Sequence, residues 1–223
     1  MVDLPPIVII LQTFKRTDVA LRTIAAARAN LQYGGDLIWY VADDGSPEAH
    51  VNAVMEHLPD APWHSQRRGY GANANEAWRK ADDYSSLTFW LEDDWELTTP
   101  LDLTPYAQAL MDESIAMIRL GYLNCGIRGA IIFAANHLYL SFDHEPLDSN
   151  QLVFTGHPSL RHTRYRDVYG FYPEGLTPGD TELWYAYQYR MGAATGPGIV
   201  WPLNYPVSGL FGHIGTIKTE TML

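Results

Sequence analysis

The chain has 223 residues, 47% hydrophobic and 18% charged, enough to bury the core of one large globular domain. A formal net charge of −11 excludes broad, nonspecific binding of nucleic acid through a basic surface, and a single cysteine, Cys125, excludes an internal disulfide framework or a thiolate-rich zinc site. The start of the chain has acid and prolines ahead of a short apolar run and no basic lead, and no window reaches membrane-spanning length, so the chain reads as soluble and cytoplasmic, with no membrane partner.

Residues 7–13, IVIILQT, are a near-continuous β-branched run of the length expected of a strand covered on both faces. FKRTDVALRTIAAARANL follows, with Leu21, Ile24, Ala25 and Arg28 at helical spacing and Thr17 or Asp18 placed to cap a helix. DLIWYVADDGS is a second strand ending in two aspartates and a glycine turn. PEAHVNAVMEHL is a second helix with proline near its start. After a short segment at APWHSQ, RRGYGANANEAWRKADD reads as a glycine turn feeding a third helix, and TFWLEDDWEL, residues 88–97, as a strand that runs into three consecutive carboxylates. This alternation predicts an α/β layer structure with a mostly parallel sheet, in which ligands bind beyond the carboxyl ends of the strands.

Beyond residue 100 the pattern loosens. LTPYAQALMDE predicts a helix, IAMIRLGYL and GAIIFAANHLYLSF predict strands, and GDTELWYAYQYRM predicts a helix. Residues 150–179 read as loops and short helices, and the glycine-rich tail GLFGHIGTIKTETML as loop.

Asp43 with Asp44, and Glu92 with Asp93 and Asp94, stand at predicted strand ends and so on one edge of a parallel sheet. Adjacent carboxylates repel and are costly to desolvate unless a cation or hydrogen-bond donors compensate. Either cluster alone is also what a helix cap or solvated turn looks like. Together they suit a nucleotide whose phosphates are bridged by an oxygen-liganded divalent cation, magnesium or manganese.

VIILQTFKRTDVALRTIAAA, VADDGS, RRGYGANANEAW and LEDDWEL, in that order, resemble the nucleotide-binding half of glycosyltransferases with the GT-A fold, particularly the family 2 type. The resemblance implies a Rossmann-like, mostly parallel central sheet flanked by helices, in a single domain over 1–223. Residues 1–100 would bind the nucleotide sugar, and 101–223 would form an acceptor-side, catalytic half. It implies donor contacts at Thr13, Asp43, Asp44, Gly71, Asn75, Glu92 and Asp93, and it makes Asp94 the metal ligand, because the family's Asp-x-Asp motif here begins with Glu92. Arg67 and Arg68, just before the glycine turn, are placed to meet the nucleotide. GLFGHIG resembles the C-terminal histidine segment that completes metal coordination, which assigns His213. GDTELWYA resembles the segment that supplies the base of inverting members, which assigns Asp180; the same residue is an equally good helix cap.

The implied activity is metal-dependent transfer of a sugar from a nucleotide-diphosphate donor, UDP-sugar by default, to an acceptor hydroxyl with inversion. If Asp180 is only a cap, retention stays open. The acceptor is a saccharide, a protein side chain or a modified nucleobase. Arg161, Arg164 and Arg166, interleaved with Tyr165, Tyr169 and Tyr172, read either as a sugar- and phosphate-recognising segment or as an ordinary basic one. Two alternatives remain: a GT-A-like nucleotidyltransferase, although QTFKRTD lacks the glycine-rich loop of that class, and a binding module without catalysis. No Walker loop, dinucleotide fingerprint or Gly-x-Ser-x-Gly elbow is present.

Overall fold

The computed structural model describes residues 4–123, 129–143, 154–191 and 196–215. The first strand, β1 (Ile7–Thr13), is buried at every position, as its unbroken apolar run requires of a strand covered on both faces. It pairs in parallel with β3 (Leu37–Asp43) on one side and β5 (Leu87–Glu92) on the other, and β4 (Trp63–Ser65) extends the sheet beyond β3. The crossovers carry α1 (Thr17–Asn30), α2 (Glu48–His57) and α3 (Tyr70–Ala81). Helix α1 packs on α2, whereas α3 packs on β1 and β3. Thr17 opens α1 without capping it, and its hydroxyl lies 2.9 Å from Nδ1 of the buried His50 on α2.

The second half completes the same sheet. Its elements are α4 (Thr104–Ala109), β8 (Ile115–Arg119), the hairpin β9 (Gly129–Ala134) and β10 (His137–Phe142), β11 (Ser159–His162), α5 (Arg164–Tyr169), α6 (Pro178–Met191) and β12 (Gly198–Pro202). The resulting nine-stranded order is β4-β3-β1-β5-β11-β8-β12-β10-β9, with β10 and β11 running against the rest. Two small ribbons stand apart: β2 (Leu31–Gln32) with β7 (Leu101–Asp102), and β6 (Trp95–Leu97) with β13 (Phe211–His213).

Four expectations are corrected. TFWLEDDWEL is two strands, because the chain turns at Asp93 and Asp94 between β5 and β6. Residues 150–179 contribute β11, wedged antiparallel between β5 and β8. The tail is not all loop, since residues 211–213 pair with β6, while residues 216–223 lie outside the described set. The Arg and Tyr segment is core. Tyr165, Tyr169 and Tyr172 are buried, and so is Arg161, whose guanidinium sits 4.7 Å from the centre of Trp90 and 5.3 Å from that of Phe154 and donates to the Tyr172 hydroxyl. Arg164 bonds the carbonyls of Asp112 and Ile115, and Arg166 pairs with Asp82.

Candidate active site

Parallel register aligns Thr13 with Asp43, Gln12 with Glu92, and Asp43 with Ser65, so the polar ends of β1, β3, β4 and β5 meet on one edge of the sheet. The turn after β5 is pinned by the Asp93 amide donating to the Gln12 carbonyl. Asp93 is fully buried and well bonded. Its Oδ2 accepts from the Thr13 hydroxyl at 2.8 Å and the Phe14 amide at 3.1 Å, and its Oδ1 accepts from Arg16. The second amino group of Arg16 donates to Asp94 Oδ2 at 2.5 Å. The positive charge that the acidic triplet requires is therefore supplied within the chain, three residues past the end of β1, by the guanidinium of Arg16.

Burial pulls the Arg16 guanidinium down, and Asp93 and Asp94 reverse that, leaving it above its ordinary value. Burial, opposed by Arg16, lifts the Asp93 carboxyl to about 6. Burial and then Asp94 push Glu92, whose Oε1 accepts from the Tyr70 hydroxyl at 2.7 Å, up to about 8.

Asp94 is joined from the far end of the chain. Ribbon pairing sets Trp95 opposite His213, the Ile214 amide donates to the Asp94 carbonyl, and His213 Nε2 lies 3.2 Å from Asp94 Oδ2. Gly215 makes this approach possible, since a Cβ there would stand 2.3 Å from the same oxygen.

The second acidic pair organises loops. Asp43 accepts from the Ser46 amide at 2.8 Å, from the Ser46 hydroxyl, and from the Ser65 hydroxyl at 2.5 Å. Asp44 accepts from the amides of Arg68 and Gly69 at 2.7 and 2.9 Å and from the Arg67 guanidinium, which lies over the Phe14 ring. The Arg68 guanidinium reaches Gln66 and Glu76. Gly71 and Asn75 both bind the segment after α5 rather than the β5 acids. A Cβ on Gly71 would stand 2.2 Å from the Pro173 carbonyl oxygen, and Asn75 exchanges two hydrogen bonds with the Tyr172 backbone.

On the other flank of Glu92, Gly156 lies just before β11. Its amide donates to Glu182 Oε1 at 2.5 Å. Beside it, the rings of Trp95, Tyr122, His157 and His213 form a cluster, with Tyr122 and His157 centred 4.2 Å apart and Trp95 and His213 5.0 Å apart. Burial, then Arg119 and His213, hold His157 down at about 2, so it is neutral. Asp180 is exposed in the first turn of α6 and is not its cap: the capping oxygen is that of Thr177, which accepts from the Asp180 amide at 3.2 Å and donates to the Asp180 carboxylate at 2.7 Å.

Of the residues singled out in sequence, the structure brings Thr13, Asp93, Asp94 and His213 into one cluster, with Glu92 adjoining. It adds Arg16 and Glu182. Arg16 could have been found by asking which basic side chain follows β1 at the same sheet edge; Glu182 lies inside GDTELWYA, two residues past Asp180.

Among the described residues no three His, Cys, Asp or Glu side chains are arranged to cage a metal. The donor set nonetheless fits a divalent cation completed by a ligand. Asp94 Oδ1 is buried without a hydrogen-bond partner, and the half-exposed His213 adjoins the same carboxylate. Magnesium and manganese commonly take one or two protein ligands and fill the rest from phosphate and water.

No protein-family model and no curated protein matches the sequence. Solved structures do. The mannosyltransferase PcManGT from Pyrobaculum calidifontis, in complex with GDP-Man and Mn2+, superposes with a TM-score of 0.60 at 15% identity, over 90% of this chain and 55% of that one. S. aureus TarS 1-349 in complex with UDP-GlcNAc superposes with a TM-score of 0.62 at 10% identity, over 96% of this chain and 61% of that one. The chain thus spans between half and two thirds of the length of these structures. The likeness shows the GT-A-like fold of nucleotide-sugar transferases, as the sequence resemblance implied.

Proposed function

We propose that the chain is a glycosyltransferase that moves a sugar from a nucleotide-diphosphate donor to an acceptor hydroxyl. The observation that carries this reading is the cluster of Asp93, Asp94, Arg16 and His213 at the carboxyl edge of β1 and β5. It stands on a fold shared with a mannosyltransferase that binds GDP-Man and with a structure that binds UDP-GlcNAc.

In this reading Thr13, Asp43 and Asp44 frame the nucleotide end of the donor. Asp43 and Asp44 shape the turns at 44–46 and 67–69, and Arg68 lies at the rim. Gly71 and Asn75 fix the floor by locking α3 to the 172–173 segment. Asp93 anchors Arg16, and Glu92 bounds the site on the sugar side. A manganese or magnesium ion, held by Asp94 and His213, would supply charge neutralisation on the departing diphosphate, where electrostatic stabilisation acts most strongly. Arg16 adds a fixed positive charge at the same place. A carboxylate at the head of α6 supplies the base for an inverting attack. UDP is the default nucleotide, and a saccharide, protein side chain or modified nucleobase is the acceptor.

Thermal unfolding with UDP, GDP, dTDP and CMP, each with manganese or with chelator, tests the reading. A ligand at a hundred times its Kd stabilises the folded state by about 2.7 kcal/mol. One nucleotide diphosphate is expected to raise Tm in a manganese-dependent way, and Asp94→Asn to abolish the manganese dependence. No shift with any nucleotide sinks the reading.

A further inference from the structure

We infer that Glu182, and not Asp180, is the general base that deprotonates the acceptor; this rests on the glycosyltransferase reading above. The two carboxylates stand two positions apart on α6, about 200° around the helix, and so face opposite ways. Asp180 shares its side with the exposed Leu183 and Tyr187. Glu182 shares its side with Tyr185 and Tyr189, both fully buried, and points at the sheet edge.

Gly156 shows how close to the β5 acids that places it. The Gly156 amide holds Glu182 Oε1 at 2.5 Å, and a Cβ on the same residue would stand 2.4 Å from Glu92 Oε1 and 2.9 Å from the Tyr70 hydroxyl. One glycine therefore separates Glu182 from the end of β5, on the side away from Asp43 and Asp44. With the nucleotide framed by Asp43 and Asp44, that is the side left for the sugar and its acceptor.

The charged surroundings suit a base. Arg119 from β8, Arg161 from β11 and the Gly156 amide favour the anion. Among the described residues, Glu92 from β5 and the hydroxyls of Tyr70 and Tyr172 also face it. Burial raises its proton affinity above that of a solvated carboxylate, and its side chain is not sealed from the edge. Asp180 is exposed on the opposite side of the helix and tied to Thr177. In the step itself the acceptor oxygen forms the bond to the anomeric carbon while its proton passes to Glu182. The bond from that carbon to the diphosphate oxygen breaks, and its electron pair leaves with the nucleoside diphosphate.

Water can stand in for the acceptor, so the experiment is the release of UDP from UDP-GlcNAc, or GDP from GDP-Man, in manganese, by the full chain and its variants. Glu182→Gln is expected to lower turnover by about 10²- to 10³-fold while the nucleotide-induced Tm shift is retained, and to remove the acid limb of the pH profile. Glu182→Asp is expected to keep that limb at a shifted position. Asp180→Asn leaves the Asp180 amide on the Thr177 hydroxyl and is expected to change turnover less than about tenfold. A folded Glu182→Gln protein within about threefold of wild type overturns the inference, as does a hundredfold loss in Asp180→Asn, or an unmoved acid limb in Glu182→Asp. Nucleotide binding by the wild type with any of these results leaves the glycosyltransferase reading standing; no nucleotide-induced shift in the wild type removes both.

Discussion

Arg16→Met is expected to destabilise the protein by about 3–5 kcal/mol at pH 8, the range for removing one partner of a buried ion pair. The guanidinium touches both Asp93 and Asp94, and it is 18% exposed against 1% for the Asp93 side chain. Without it Asp93 keeps the Thr13 hydroxyl and the Phe14 amide on Oδ2 but loses the guanidinium charge that pairs with it. The loss is expected to shrink at pH 5. Even with Arg16 present the folded-state carboxyl sits at about 6, above its unfolded value. A raised acid contributes stability at low pH that is lost as pH rises through the folded value, and removing Arg16 moves that value higher still. Urea unfolding at the two pH values, with chelator throughout, measures this, and Asp93→Asn in the Arg16→Met background is expected to restore most of the stability. A loss below about 1 kcal/mol at both pH values would show that the pair does not hold the turn.

How far such contacts can be read from the chain depends on whether local pattern or tertiary placement decides them. The strands β1, β3 and β5 are legible because each is an apolar run of strand length that ends in polar residues. Their parallel pairing then aligns Thr13, Asp43 and Glu92 without further information. Strand β11, sequence SLRH, has no such pattern; it is a strand because it fills the slot between β5 and β8, where context overrides propensity. Arg161 is similarly opaque. Arginine is rarely fully buried, and only the assembled box of Trp90, Phe154 and Tyr172 gives it a place inside.

The site shows the same division. Asp94 and His213 are 119 positions apart, and their meeting follows from the β6 and β13 ribbon, which a resemblance could suggest and composition could not. The head of α6 was legible as a helix start with acids, but the phase that turns Asp180 outward and Glu182 inward is set by where Tyr185 and Tyr189 pack. Gly71 and Asn75 were visible as a glycine and an amide near a turn. Their partners, Pro173 and Tyr172, lie about a hundred residues away and leave no local trace.

Glu92 provides the second large effect. Burial and the neighbouring Asp94 push its carboxyl to about 8, and the Tyr70 hydroxyl that it accepts only partly offsets them. The sign follows from linkage. Above the unfolded value the unfolded chain has released this proton while the folded chain retains it, so raising the pH favours unfolding until the folded carboxyl ionises. Between pH 6 and pH 9 the wild type, freed of metal, is expected to lose on the order of 2 kcal/mol from this group, a figure reduced from the ideal linkage because part of Glu92 stays in contact with water. Asp93, at about 6, is half ionised at the start of this window and adds only about 0.4 kcal/mol to the same loss, and His157, held at about 2, exerts its opposite slope at lower pH. Glu92→Gln keeps an acceptor for Tyr70 and cannot ionise, so its stability is expected to stay nearly flat from pH 7 to pH 9 and to exceed that of the wild type at pH 9. Equal slopes for the two proteins would place the raised carboxyl elsewhere. Added manganese is expected to flatten the wild-type slope as well, because a cation at Asp94 removes the repulsion that Asp94 exerts on Glu92.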